Sequence, residues 1–150
     1  MTATELKVIL DQHKLWIESG RKKGKRAYLE GAYLVGVNLQ GAYLVGVNLQ
    51  GANLWGAHLL GANLESANLR DAYLEDANLR DAYLEGAHLQ GADLQGADLQ
   101  GATFDLNFKK VAYFQNATFS EDQIAWVCLH PKYHEWASTL KWMKAERLSA

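Results

Sequence analysis

Three side chains near the C-terminus have metal-ligand chemistry at short spacing. Cys128, His130 and His134 form C-x-H-x-x-x-H, a thiolate and two imidazoles. Only three ligands are local, and Pro131 divides the segment. Isolated Cys and His in such a setting usually serve packing, so the segment reads as part of a structural cap and no metal is assigned. His58 and His88 stand alone. No Ser/His/Asp set, phosphate-binding glycine loop or paired carboxylates accompany them, so the residues assemble no catalytic site. The run Arg21-Lys-Lys-Gly-Lys-Arg26 has the charge to meet a polyanion or anionic lipid. As one short run between two structured segments, it reads as a solvated linker.

What must position these groups is a repeat. From Ala27 to Glu121 the chain divides into nineteen pentads. Numbering each from its central residue i, position i is Leu or Phe except at Lys109, and i−2 is Ala except at Val37, Val47 and Asn107. Position i+2 is mostly Gly, replaced early on by Ser66, Asp71, Asp76 and Asp81. Ten residues are even written twice, as GAYLVGVNLQ over 31–40 and 41–50.

The period selects the local geometry. On an α-helix, steps of five rotate the leucines by about 140° each, leaving no apolar face. A glycine in every pentad adds about 1 kcal/mol of helix penalty apiece. In an unbroken strand, Ala and Leu two apart share a side, but the next Ala, three further on, points the other way. Each pentad is therefore a short extended segment followed by a corner. Gly at i+2 suits the positive-φ position of a type II turn, and Asp is among the better substitutes there. Successive corners wind the chain into a coil with Ala and Leu inside and i−1, i+1 and i+2 outside. Spacing alone leaves three sides or four open.

The tandem A-x-L-x-G motif, as in Gly51-Ala-Asn-Leu-Trp-Gly-Ala-His-Leu-Leu-Gly61, resembles the pentapeptide-repeat proteins. The resemblance covers about two thirds of the chain. It implies an all-β solenoid, a right-handed quadrilateral β-helix with one pentad per side and twenty residues per coil, about 4.75 coils here.

The ends read as helical caps. Residues 4–19 form an amphipathic helix with Leu6, Ile9, Leu10, His13, Trp16 and Ile17 near one face and Gly20 as its stop. Ser120-Glu-Asp-Gln123 has the form of a capping box. It opens a second cap interrupted at Pro131 and resumed over 132–147. The expected organisation is 1–26 capping helix and linker, 27–121 β-helix and 122–150 C-terminal cap. At 107–111, Asn107 and Lys109 would point inward, so a bulge with Phe108 or Val111 taking their place is expected.

Composition bounds the rest. The chain carries a net charge of −2 and one cysteine, so no internal disulfide frame is available. Lys7, Asp11 and Lys14 interrupt the apolar content of the N-terminus, which predicts no signal peptide and a cytoplasmic protein. No apolar run is long enough to span a membrane.

In a four-sided register, outward residues twenty apart share a face. One face then carries an aromatic patch of Tyr33, Val35, Trp55 and Tyr73. The opposite face carries Val45 and then an acidic row of Glu65, Glu85 and Asp105. Leu60 adds an exposed apolar residue on a third face. The patch is the candidate protein contact. The expected function is a non-catalytic interaction or scaffold module, with an unidentified protein partner and no cofactor. Neither direct nucleic-acid binding nor membrane association is expected. Some cyanobacterial relatives in the family are regulators of this kind.

The alternative implied by the resemblance is a DNA mimic that binds a type II topoisomerase such as gyrase, paired through the C-terminal helices as a homodimer. Residues 27–121 hold eleven acids and four bases, a net of −7. That is about half the charge of an equal length of duplex, at one charge per about 1.7 Å.

Overall fold

The structure, a computed structural model, describes residues 1–104 and 117–120. The chain divides into two compact units, Met1–Thr118 and Phe119–Ala150. Of the second, only Phe119 and Ser120 are described. The expected second cap, the pentad 107–111, and Asp105, Cys128, His130 and His134 lie outside the described residues.

Helix α1 spans Ala3–Glu18. Thr2 and Glu5 cap each other. The Thr2 N–H donates to Glu5 Oε2 at 2.7 Å, and the Glu5 N–H donates to Thr2 Oγ1 at 3.2 Å. These bonds from the Thr2 backbone and hydroxyl hold the Glu5 carboxyl below its ordinary pKa. The helix ends in a Schellman turn, with Gly20 N–H to the Ile17 carbonyl at 2.9 Å and Arg21 N–H to the Trp16 carbonyl at 2.7 Å.

The linker then folds back onto the helix. Lys25 N–H bonds the Gln12 carbonyl at 3.1 Å. Gly24 lies so close to Gln12 O and Trp16 N that a Cβ there would collide with the helix backbone.

From Ala27 onward the chain winds as a solenoid. Parallel bridges join residues twenty apart without exception through the described repeat, from Tyr28↔Asn48 to Tyr83↔Thr103. Twenty residues per coil at five per side is a four-sided coil. Each side pairs through isolated bridges, since a corner follows every extended segment. The register survives past the irregular pentad, because Asp98 pairs with Thr118.

Four of the five backbone N–H groups of a typical pentad bond to backbone carbonyls. Leu34 N–H and Gly36 N–H donate to the next coil, at Asn53 O and Trp55 O, each at 2.8 Å. Asn53 N–H donates back to Ala32 O at 2.9 Å. The corner closes when the Ala N–H bonds the Leu carbonyl three residues earlier, as in Ala57 to Leu54 at 2.9 Å. Where i−1 is Asn or Asp, its side chain accepts the remaining N–H, at i+1. Trp55 N–H bonds Asn53 Oδ1 at 3.1 Å, and Gln100 N–H bonds Asp98 Oδ1 at 3.1 Å. Asn at i−1 is thus a corner-forming residue as well as an outward one.

The core is a stack of leucines and alanines. Leu44, Leu49, Leu54 and their successors through Leu79 are fully buried, with the intervening alanines beside them. In the first coil, Ala32, Val37 and Ala42 are only half-buried, having no preceding coil to cover them.

The corners obey a directional rule. Ser66, Asp71, Asp76 and Asp81 take φ of 55–56°, the left-handed region foreseen for them. Their side chains lean over the next coil, where Gly86, Gly91, Gly96 and Gly101 stand. A Cβ at Gly91, Gly96 or Gly101 would collide with the aspartate carboxylate above it. At Gly46, Gly51, Gly56 and Gly61 nothing lies within 4 Å.

Candidate functional site

Four faces follow from the register, named here by their first leucine: face 1 from Leu29, face 2 from Leu34, face 3 from Leu39 and face 4 from Leu44. On face 2, bridges align Tyr33, Asn53, Tyr73 and Asp93 in one column. Val35, Trp55, Glu75 and Gln95 form the neighbouring column, with Gly36 N–H bonded to Trp55 O and Gly56 N–H to Glu75 O. The four residues of the aromatic patch therefore share a face. Tyr33 is 74% exposed, while Trp55 and Tyr73 are each 51% exposed. Val35 is half-buried.

Face 4 lies opposite. Val45, Glu65 and Glu85 succeed one another there, through Gly46 N–H to Glu65 O and Ser66 N–H to Glu85 O. Tyr83 stands beside them, 47% exposed. Leu60, on face 3, is half-buried rather than exposed; the longer Gln40 and Arg80 flank it in its column.

Two features were not foreseen. Tyr28 is 68% exposed on face 1, with the Arg26 guanidinium 5.6 Å from its ring centre. Val8 and Leu15 on α1, with Met1 just before it, stand at heptad spacing, each substantially exposed. Their spacing of seven is present in the sequence, on the side of the helix away from the inward stripe.

The two arginines of the basic run have structural partners. Arg21 lies over the Trp16 ring at 5.3 Å. Arg26 donates from Nε and Nη2 to the Gly46 carbonyl at 3.1 and 2.7 Å. His58 and His88 fall on faces 3 and 1, apart from one another. His88 meets Arg70 at 3.3 Å between Nδ1 and Nη2. Among the described residues no group of His, Cys, Asp and Glu is arranged to hold a metal ion. No helix among them is long and apolar enough to cross a membrane.

His13 is completely buried. Its Nε2 bonds the Val45 carbonyl at 2.9 Å, and its Nδ1 accepts the Ala27 N–H at 3.2 Å. That pairing puts the proton on Nε2 and keeps the ring neutral. Burial is the main cause that pushes its pKa below the ordinary 6.5; the bond to Val45 works the other way, and Arg26 adds to the lowering. Elsewhere along α1, the helix and the first coil leave an open groove of about 420 Å³, lined by Leu6, Leu10, Leu39 and Tyr43 among others.

With this geometry in view, the family is secure. A model of pentapeptide repeats matches in eight copies over residues 25–57, 42–81 and 67–105, and the chain belongs to that family. The family fold is a right-handed quadrilateral β-helix, in keeping with the twenty-residue register. Its members are in general structural or interaction modules.

Among solved structures, a pentapeptide repeat protein of the Arabidopsis thaliana thylakoid lumen is 30% identical, over 67% of this chain and 77% of that one, with a TM-score of 0.42. A pentapeptide repeat protein from the cyanobacterium Cyanothece 51142 is 39% identical over 59% of this chain and 57% of its own, with a TM-score of 0.32. QnrB1, a plasmid-mediated fluoroquinolone resistance protein, is 22% identical over 70% of this chain and 69% of its own, with a TM-score of 0.33. Among curated proteins none matches significantly.

Proposed function

We propose that the chain is a non-catalytic protein-interaction module, and that face 2 is its contact surface. The observation that carries this is the exposure of Tyr33, Trp55 and Tyr73 together on one side of a hydrogen-bonded solenoid. Aromatic side chains held on a stiff backbone lose little entropy on binding and are enriched where interfaces concentrate their energy. In this reading α1 caps the first coil, and the module works in the cytoplasm. Affinity purification from the native host, with wild type beside Trp55→Ala and Tyr73→Ala, tests the reading. Partners retained equally by all three overturn it.

The DNA-mimic alternative is the weaker reading. Between residues 27 and 64 the solenoid has a single charged residue, Glu30, whereas a duplex presents charge evenly along its length. A gyrase supercoiling assay decides the matter. Inhibition or protection at micromolar protein would restore the mimic.

A further inference from the structure

Charge is sorted along this molecule. Residues 1–26 hold seven bases and three acids, a net of +4. Residues 27–64 hold one acid and no base, and residues 65–104 hold eight acids and two bases, a net of −6. Both of those bases are arginines, and the register places them on faces 1 and 3. Arg70 bonds Gln90 Oε1 at 2.9 Å, and Arg80 lies 4.0 Å from Asp98. Faces 2 and 4 therefore have aromatic and acidic side chains with no lysine or arginine among their described residues.

On face 2 the two kinds of side chain interleave. Successive coils carry Asn53 and Trp55, then Tyr73 and Glu75, then Asp93 and Gln95. Coils are about 4.8 Å apart, and positions i−1 and i+1 are about 7 Å apart along the chain. Trp55 and Tyr73 occupy one diagonal of this grid, and Glu75 and Asp93 the parallel diagonal one coil further on. Glu75 Oε2 is shielded from solvent yet has no hydrogen-bond partner among the described residues. Such an oxygen is left with unmet acceptor capacity.

Rings with a negative π face beside carboxylates are a setting for a cation. A guanidinium suits it better than an ammonium, because a flat, weakly hydrated group stacks on a ring and still donates from its edge to a carboxylate.

We infer that face 2 recognises a basic segment of its protein partner, with an arginine side chain seated against Trp55 and Tyr73 and paired with Glu75 and Asp93. This rests on the reading of face 2 as the contact surface. The first two coils, uncharged on this face and carrying Tyr33, meet the apolar residues that flank the arginine. The acidic third and fourth coils fix the direction of the segment along the solenoid axis.

The test is fluorescence anisotropy with a labelled twelve-residue peptide alternating arginine with leucine, beside the same peptide with glutamine for arginine. The arginine peptide should bind wild type. Trp55→Leu, which keeps an apolar side chain but loses the π face, and Glu75→Gln should each weaken binding by about tenfold or more. Glu85→Gln, on the opposite face, should change it by less than about twofold. Equal losses for Glu75→Gln and Glu85→Gln would reduce the effect to bulk charge and overturn the inference. Equal affinity for the glutamine peptide, or no binding of either, would also overturn it. The wider reading of face 2 is judged separately, by whether partners recovered from the host are lost on Trp55→Ala. A Trp55-dependent partner that cross-links through an acidic or neutral segment keeps the contact face and refutes its preference for a cation.

Discussion

The buried imidazole of His13 bonds the Val45 carbonyl across 32 positions of sequence, at 2.9 Å. In the body of the solenoid, a carbonyl at this pentad position receives an N–H from the preceding coil, as Glu65 O does from Gly46. Val45 has no preceding coil, and the side chain of a helix supplies the donor instead. Nδ1 takes the Ala27 N–H at the same time, so one ring satisfies two groups of the exposed coil edge.

Replacing His13 by alanine leaves both groups unmet and opens a cavity. A loss of about 2–4 kcal/mol in urea unfolding is expected. The pH dependence has a definite sign. Because the folded-state pKa lies below the ordinary 6.5, the unfolded chain binds the proton more readily. The contribution of His13 is full above 6.5 and is lost as pH falls from there toward the folded-state value. Unfolding midpoints of wild type should therefore drop through this window more steeply than those of His13→Gln.

The corner rule is testable by a double-mutant cycle. Gly51→Ala meets no neighbour and should cost only about 1 kcal/mol for its positive φ. Gly91→Ala meets the Asp71 carboxylate as well and should cost more than about 2 kcal/mol. Adding Asp71→Gly should recover most of the excess, with a coupling of about 1 kcal/mol or more.

The asparagine column on face 1 is a third point of attack. Asn68 Nδ2 donates to Asn48 Oδ1 at 3.0 Å and to Gln50 Oε1 at 3.3 Å, while its own Oδ1 accepts the Arg70 N–H at 3.3 Å. Asn68→Ala should cost about 1 kcal/mol. Amide exchange at Arg70 should speed up, and exchange at the fully laddered Leu69 should change far less.

Core and surface should separate cleanly. Leu69 is fully buried, and Leu69→Ala is expected to cost about 3–5 kcal/mol. Trp55 is half exposed, and Trp55→Ala should leave the unfolding free energy within about 0.5 kcal/mol of wild type. A binding defect in that variant would then belong to the surface itself.

Much of this architecture was written in the residue pattern. A strict period of five admits neither helix nor plain strand, so Leu69 inside, Tyr73 outside and Asp71 at a positive-φ corner were all readable in advance. The number of sides was not, because three and four give the same inward and outward positions within a pentad; parallel bridges between residues twenty apart decide it. The inward stripe of α1, with Leu6 and His13, was legible from helical spacing. The partners of His13 were not, since Val45 is remote in sequence and the bond depends on how the helix sits on the coil. The corner rule also escaped, because an aspartate and the glycine beneath it are neighbours only once the coil closes. On face 2, the aromatic column followed from counting by twenty. The significance of Glu75 needed the structure, which shows an oxygen hidden from water with no hydrogen-bond partner among the described residues.

The four-sided register has a further consequence for how such a molecule changes over time. Each pentad added or lost turns everything beyond it by a quarter revolution. Insert one pentad between α1 and Trp55, and the aromatic face swings to a different bearing relative to the helix, although no residue of that face has altered. Insert ten residues, as in the doubled GAYLVGVNLQ of 31–50, and it swings to the far side. Length here works as a rotary dial. Substitution decides what a face displays, and the count of pentads decides where it points.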